Sequence, residues 1–390
     1  MKTLAILGST GSIGRQSLDV VESLPGRFRV CALAAGGNIA LLAEQAAHHR
    51  PEVVSVGTEE GTRELSGLLR AAGVDPLPEI LFGSAGMMAV ASHGSAEIVI
   101  SAAVGVVGLP ATFAAIERGK TIALANKEVL VAAGEIVMAA VARHGVALLP
   151  VDSEHNAIQQ CLRGGERGEV KRLVLTASGG PFRKTPQNKL ASATPEQALA
   201  HPNWRMGQRI SIDSATLMNK GFEVIEARWL FGMPLEKIDV VMHPQSVVHS
   251  MVEFVDGSIL AQLGITDMRM PIQYALTYPE RVASNRHALD WSAPRKLEFA
   301  RVPARKFPCL KLAREALRTG GSLPCALNAA DEEAVAAFLA RRIPFTGISA
   351  VIESVLEQMP RAPWQTMDDV LEADREARRL ATEEIGRRAA

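Results

Sequence analysis

Cysteine is scarce in this 390-residue chain: Cys31, Cys161, Cys309 and Cys325 stand far apart with no Cys-x-x-Cys pair. That excludes a disulfide framework and a zinc knuckle and leaves buried free thiols in a reducing compartment as the expectation. Net charge is also missing, since Lys plus Arg and Asp plus Glu each number 42. Such a balance supplies neither the basic field of a nucleic-acid binder nor the basic stripe of a membrane-surface protein. Aromatic residues make up only 4%, which singles out Trp204, one of four tryptophans. Long apolar runs are wanting too. Leu4–Leu7 stops at a Gly/Ser/Thr cluster, too short for a secretory segment. Residues 98–116 carry no charge over a span that could cross a bilayer, but Gly105, Gly108 and Pro110 interrupt it, so strand, glycine turn and helix start fit better. A cytoplasmic protein with no nucleic-acid and no membrane partner is expected.

What is present is ordinary globular composition, 47% hydrophobic and 22% charged, at a length that predicts two or three domains. Residues 1–150 alternate β-branched runs (Leu4–Leu7, Val30–Leu33, Val53–Val56, Glu97–Ser101, Thr121–Ala125, Val146–Leu149) with segments of helical length, the pattern of an α/β, Rossmann-like, doubly wound parallel sheet. Residues 151–290 read as a central α+β domain. Leu173–Thr176 and Ile210–Ile212 are strand-like and Ala215–Phe231 helical, while Asp256-Gly257 joins Val247–Phe254 to Ser258–Leu263 as a hairpin. Segment 178–208, rich in Gly and Pro, reads as a lid or binding loop. After a linker at 291–305, residues 306–390 predict a C-terminal helical bundle from Cys309–Arg318, Pro324–Arg341, Ile348–Gln358 and Met367–Arg388.

Gly8, Gly11 and Gly14 form a G-x-x-G-x-x-G turn between the first strand and the first helix. Such glycines let the backbone approach a pyrophosphate, whose charge meets the helix N-terminus; the same turn also occurs as plain packing. At the end of the second strand, where an NAD site usually places a carboxylate on the ribose, stands Ala34-Ala35-Gly36-Gly37-Asn38. No acid is there to repel a 2′-phosphate, which leans toward NADP, and Asn38 is placed to cap the next helix.

Asn126-Lys127-Glu128 lies at the sheet edge where doubly wound folds bind ligands; Lys127 is either an anion holder or a surface lysine. In an extended reading of Asp152-Ser153-Glu154 the two carboxylates point to one side, and hard oxygens without His or Cys select Mg²⁺ or Mn²⁺. Asn219 and Glu223 share a helix face, and Lys220 with Ser214 and Ser178 makes a phosphate cradle unless that lysine is merely solvated. His201 and Trp204 cluster in the loop, whose closure would exclude water from a hydride-transfer site. His243 and His249 have the marks of structural residues.

Several longer stretches together are similar to 1-deoxy-D-xylulose 5-phosphate reductoisomerases. They are Gly8-Ser-Thr-Gly-Ser-Ile-Gly14, Ala125-Asn-Lys-Glu128, Pro150-Val-Asp-Ser-Glu-His155, Ala177-Ser-Gly-Gly-Pro-Phe-Arg183, His201-Pro-Asn-Trp204, Asp213-Ser-Ala-Thr-Leu-Met-Asn-Lys-Gly221, Glu226-Ala-Arg-Trp-Leu-Phe231 and His243-Pro-Gln-Ser246. The resemblance runs in order to about Arg269. It implies an NADPH-dependent enzyme with one Mg²⁺ or Mn²⁺ per subunit, converting 1-deoxy-D-xylulose 5-phosphate to 2-C-methyl-D-erythritol 4-phosphate in the non-mevalonate isoprenoid pathway. It implies cofactor contacts at Thr10, Gly11, Ser12, Ile13, Gly36, Gly37, Asn38, Asn126, Glu128 and Gly207. Metal ligands fall on Asp152, Glu154 and Glu223, and substrate contacts on Lys127, Ser153, Glu154, Ser178, His201, Ser214, Asn219, Lys220 and Glu223. Lys127, Asp152, Glu154, His201 and Glu223 become the catalytic set, and a homodimer formed through the central domain is implied.

Two departures from the family pattern stand out. Relatives often carry Lys or Arg where this chain has Gly37, so a 2′-phosphate contact is missing. Arg205 fills a lid position that commonly holds a smaller polar residue and is the substitute cation this reading suggests. Two other readings remain: a Rossmann dehydrogenase of the homoserine-dehydrogenase type, which needs no acidic triad, and a non-catalytic dinucleotide sensor, which needs no phosphate-binding lid.

Overall fold

Short, apolar, β-branched runs buried on both faces are what a parallel sheet needs, and seven strands build one here. The computed structural model describes residues 1–204, 206–284, 288–292, 294–363 and 366–389. In chain order the first elements are β1 (Lys2–Leu7), α1 (Ser12–Ser23), β2 (Phe28–Ala34), α2 (Ile39–His49), β3 (Val53–Val56), α3 (Glu59–Ala71) and β4 (Glu79–Phe82). Then come α4 (Gly83–Ala91), β5 (Ile98–Ser101), α5 (Leu109–Glu117), β6 (Thr121–Leu124), α6 (Glu128–His144), β7 (Leu148–Pro150) and α7 (Ser153–Cys161). The strands pair in the order β4-β3-β2-β1-β5-β6-β7, all parallel, so the order reverses between β1 and β5. Loops at the carboxyl ends of those two strands frame the usual ligand crevice of such sheets. Leu4, Ile6, Leu33, Val54 and Ile100 are wholly buried in this core, each worth about 1.5–3 kcal/mol relative to exposure.

The strand at Glu79–Phe82 is one the residue pattern does not signal. It is an edge strand, half-exposed, with Pro76 and Pro78 just before it, so it lacks the buried run that marks its neighbours.

The remaining elements are β8 (Val170–Ala177), α8 (Pro195–Leu199), α9 (Gln208–Thr216), α10 (Met218–Phe231), β9 (Ile238–Met242), β10 (Val248–Phe254) and β11 (Ile259–Leu263). They are followed by α11 (Arg269–Thr277), β12 (Ala300–Arg301), α12 (Pro308–Thr319), α13 (Leu323–Leu339), α14 (Phe345–Gln358) and α15 (Met367–Ala389). Five strands form a mixed sheet in the order β11-β10-β8-β9-β12, with the expected Asp256-Gly257 hairpin between β10 and β11. Helices α12 to α15 match the expected bundle, with Phe338 edge-to-face on Phe345 and Phe345 on Phe182.

The chain packs as two units. One holds Met1–Val129, Val137–Asn156 and the stretch beginning at Asp267; the other holds Leu130–Ile136, Ala157–Thr266 and the C-terminal remainder. Helix α11, placed with the central domain by sequence, therefore packs with the parallel sheet, through Ile272, Ala275 and Leu276. All four cysteines are buried thiols, and burial pushes Cys31 up to about 11.

Two local expectations are corrected. Ile210–Ile212, strand-like by its β-branched residues, is helical, because Gly207 starts α9 and Ser211 bonds back to the Gly207 carbonyl. The long helix read from Ala215 to Phe231 is two helices, broken at Leu217, whose φ of 60° is left-handed.

Helix α9 is tied to α13 by charge. Arg209 donates to Asn328 Oδ1 at 2.7 Å and pairs with Glu332 at 2.5 Å, and its guanidinium lies 3.7 Å from both Asp213 and Asp331. Glu332 is shared with Arg378, so Asp213 and Asp331 face each other with Arg209 as the nearby cation. Asp331 is fully buried beside Asp213: desolvation, then the Asp213 charge, raise its pKa well above the ordinary range. A carboxyl raised in the folded state makes folding costlier as pH climbs above its unfolded value near 3.9. Asp331→Asn, neutral at every pH, is therefore expected to shrink the fall in Tm between about pH 5 and about pH 8; thermal melts across that range check it, and an unchanged slope refutes it.

Candidate active site

The glycine turn after β1 is shaped by contacts no side chain would allow. Gly8 has φ of 83°, and a Cβ there would sit 2.5 Å from the Ala102 carbonyl oxygen beyond β5. A Cβ on Gly14 would lie 2.3 Å from the Gly8 carbonyl oxygen and 2.5 Å from Ser9 Cα. The first turn of α1 is thus pressed onto the loop; the Gly11 N–H is taken by the Gly8 carbonyl at 3.0 Å, and Ser12 and Ile13 stand at the helix N-terminus, the end that favours an anion. Two buried polar atoms beside it, Ser9 Oγ and Asn126 Oδ1, have no partner among the described residues. Asn126 is pinned by donating through Nδ2 to the Gly105 carbonyl at 2.9 Å. Asn38 caps α2 as expected, accepting from the Leu41 N–H at 3.2 Å, while Gly36 and Gly37 are exposed, with no atom within 4 Å of where a Cβ would stand. Glycines that let strand, loop and helix pack this closely, with two orphaned polar atoms at the turn and its neighbouring strand end, suit a dinucleotide.

In the same unit Lys127, 8% exposed, donates to Asp152 Oδ2 at 2.7 Å. Glu128 opens α6, its charge at the favourable helix end. Asp152 and Glu154 place carboxylate oxygens within 4.8 Å of each other. The extended geometry expected for 152–154 does not hold. Asp152 precedes α7, accepting from the Asn156 N–H through its backbone carbonyl, and Ser153 and Glu154 are the first helical residues. The acids converge because a helix start folds the chain back. Ser153 Oγ donates to Glu154 Oε2 at 2.5 Å.

The second unit holds Ser178, His201, Ser214, Asn219, Lys220 and Glu223. Gly180, at φ of 62°, lets the turn after β8 press on the end of α9, for a Cβ there would be 2.7 Å from the Ser214 carbonyl oxygen. Past the break at Leu217, Lys220 and Glu223 are buried and paired, and Asn219 Nδ2 donates to Glu223 Oε1 at 2.6 Å. Lys220 is thus not a solvated helix lysine. Gly207 caps α9 with extended backbone. Arg205 lies outside the described residues.

His201 organises its own loop. Its Nδ1 accepts from the backbone N–H groups of Asn203 and Trp204, at 3.3 and 3.0 Å, so that nitrogen carries no proton. The neutral ring then bears its hydrogen on Nε2, which donates to Ser178 Oγ at 3.0 Å. Ser178 Oγ also accepts from the Gly180 N–H, at 3.2 Å. With both acceptor positions used, its hydroxyl proton is directed to another acceptor, as an anion-binding serine requires. Asn203, whose part the sequence does not reveal, bonds the Pro244 carbonyl and Ser246 Oγ, at 2.7 and 2.8 Å. His243 is structural: wholly buried, it accepts from the Val247 and Val248 N–H groups and stacks on Phe299. His249 is buried, 6.3 Å from the Trp204 ring.

Family models for 1-deoxy-D-xylulose 5-phosphate reductoisomerase match residues 4–134, and models for its C-terminal domains match 148–231 and 263–380. The chain belongs to this family. It is 55% identical to the reductoisomerase of Anaeromyxobacter sp. (strain K), over 100% of this chain and 98% of that one. Identity to the Pelotomaculum thermopropionicum enzyme is 51%, over 99% of both. The Zymomonas mobilis reductoisomerase in complex with NADPH superposes with a TM-score of 0.92 at 44% identity, covering 98% of this chain and 99% of that one. A reductoisomerase in complex with NADPH, fosmidomycin and magnesium gives 0.94 at 41%, covering 99% and 98%.

Burial lowers the His201 pKa from its ordinary 6.5. A histidine depressed in the folded state binds fewer protons there, so the order it supports is complete above 6.5 and is lost as pH falls toward the depressed value. Protonation would turn Nδ1 from acceptor to donor against two N–H groups. For the family's substrate, KM is expected to rise on acidification below about pH 6.5. In His201→Asn, whose Oδ1 replaces the acceptor but not the Nε2 donor, KM is about tenfold higher and that acid-side rise is gone, a loss of about one hydrogen bond. KM–pH profiles of both proteins decide it.

Proposed function

We propose that this chain carries out the NADPH-dependent, divalent-metal-dependent rearrangement and reduction of 1-deoxy-D-xylulose 5-phosphate to 2-C-methyl-D-erythritol 4-phosphate, within the isoprenoid precursor route. The chain is an NADPH-dependent oxidoreductase of this family. One observation carries the site reading: the serine, asparagine and lysine groups that a sugar phosphate needs are organised around Gly180 and the Leu217 break, with Lys220 held beside Glu223.

The residues divide the work by their chemistry. Ser12 and Ile13 with Thr10 present backbone and hydroxyl donors to the dinucleotide phosphates, and Gly11 lets the backbone come close to them. Gly36, Gly37 and Asn38 receive its adenosine end, and Asn126, Glu128 and Gly207 complete the cofactor contacts. Ser178, Ser214, Asn219 and Lys220 hold the substrate phosphate, so binding energy remote from the reacting carbons positions them. Ser153 and His201 add substrate contacts, His201 by fixing the Ser178 hydroxyl. Asp152, Glu154 and Glu223 would hold one Mg²⁺ or Mn²⁺; three carboxylates are the hard-oxygen donor set that such ions select. Bound there, the metal supplies Lewis-acid polarisation of substrate oxygens, and NADPH supplies the reducing equivalent. Lys127, anchored on Asp152, stands ready to move a proton or hold a developing oxyanion.

The functional parts follow the chain: 1–150 for the cofactor, 151–290 for catalysis and dimerisation with the lid at 178–208, and 306–390 as a supporting bundle beyond the linker at 291–305. A homodimer is supported by edge strand β11 and its approach, where Val255, Ile259 and Leu260 are 66%, 52% and 40% exposed, an apolar edge that a second copy would cover. Among the described residues no helix is long and apolar enough to cross a membrane. A cytoplasmic site of action accords with the four buried free thiols.

NADPH oxidation with 1-deoxy-D-xylulose 5-phosphate should require Mg²⁺ or Mn²⁺ and cease with chelator. Asp152→Asn should cut turnover by about a thousandfold or more while NADPH binding stays unchanged; near-normal turnover removes the metal assignment. Gly37, exposed and unobstructed, has room for a cation. Gly37→Arg should therefore raise the NADPH-over-NADH ratio of kcat/KM about tenfold, the worth of one charge-assisted contact. An unmoved ratio would show that this position does not face the 2′-phosphate.

A further inference from the structure

Helices α1 and α2 end side by side, and three metal-ligating side chains meet there. Glu22 is the next-to-last residue of α1, and His48 and His49 are the last two of α2. Glu22 Oε1 lies 3.4 Å from His48 Nε2 and 3.5 Å from His49 Nε2, and the three ligand atoms all fall within 4.8 Å of one another. The imidazole rings stand nearly perpendicular, at 87° with centroids 4.7 Å apart, so both nitrogens aim at one region without stacking.

Those separations are long for N–H···O hydrogen bonds, which cluster at about 2.7–3.2 Å. They suit another geometry. With Zn–N and Zn–O bonds of about 2.0–2.2 Å, the edge between two ligands of a tetrahedral zinc is about 3.3–3.5 Å. We propose that Glu22, His48 and His49 form a zinc site on the surface of the parallel-sheet unit, separate from the carboxylate set assigned to magnesium or manganese.

Three features support it. Two imidazoles and one carboxylate select a borderline ion such as Zn²⁺ over Mg²⁺, which prefers all-oxygen octahedra. The carbonyl ends of two helices meet at the site, and the negative ends of their dipoles favour a cation. His49, with only 10% of its side chain exposed, is held toward the neutral form by burial and by the neighbouring His48, the form in which imidazole binds metal. The four cysteines are buried and offer zinc no competing thiolate at the surface.

The test is calorimetric titration of the purified protein with zinc chloride in excess magnesium chloride, which occupies the hard-oxygen set. One magnesium-resistant Zn²⁺ per chain is expected, together with a zinc-dependent rise in Tm. Glu22→Gln and His48→Gln should each weaken that binding at least tenfold. Both side chains are mostly exposed, 52% and 67%, so metal-free Tm should match the parent and a lost zinc response cannot be ascribed to misfolding. No magnesium-resistant zinc binding, or the same affinity in both variants as in the parent, overturns the proposal.

Discussion

A carboxylate with no exposed surface must have donors or a cation in reach, and Glu223 is such a carboxylate. Asn219 supplies a donor one turn earlier on α10 and Lys220 supplies the cation. Helical spacing, four and three residues along, brings those partners to it within α10, which starts anew at Met218 after the break at Leu217. Gly221 in the first turn of α10 lets α12 approach, for a Cβ there would lie 2.6 Å from Ala313 Cβ. One buried charge thereby fixes the residues at the helix start, and they are the residues a phosphate would need. Removing either partner would strand a buried charge, so the arrangement trades stability for a poised set of donors.

Behind α9 the same rule works through a larger group. Arg209 joins Asp213 on its own helix to Asn328, Asp331 and Glu332 on α13, and Arg378 of α15 joins Glu332, Glu333 and Asp374. The bundle carries no phosphate-binding cluster among its described residues, yet these bonds run from its last helix to the segment holding Ser214. Helix α13 places Asn328 and Asp331 inside next to Ala329, Ala330 and Ala334, small residues that let neighbouring helices approach closely. The bundle is therefore part of what sets α9, a role that no motif in residues 306–390 discloses.

Much of this is legible in the residues, for identifiable reasons. Central parallel strands are nearly continuous apolar runs, so β1, β2, β3, β5 and β6 announce themselves, whereas β4 at the exposed edge does not. The helix 208–216 is hidden because Ile210 and Ile212 mimic a strand, and intrinsic preference yields to a glycine cap and tertiary packing. Asp152 and Glu154 are legible by their chemistry but not by their geometry: an acid pair at a helix start converges as well as one on a strand. Asn203 and Arg209 give no signal because their roles lie in long-range partners, Pro244 and Ser246 for one and α13 for the other.

Histidine shows how far residue type falls short of role. His243 and His201 each accept two backbone N–H groups on one ring nitrogen, so both act first as turn organisers. They differ in the other nitrogen. That of His243 meets the Glu298 carbonyl, a dead end for chemistry. That of His201 meets the Ser178 hydroxyl, so the ring's protonation state reaches that hydroxyl. His48 and His49, at a helix end with a carboxylate between them, belong to a third kind, in which neither ring nitrogen aimed at Glu22 is at good hydrogen-bond distance. The partner of the second nitrogen, more than burial or sequence context, separates a packing histidine from a working one.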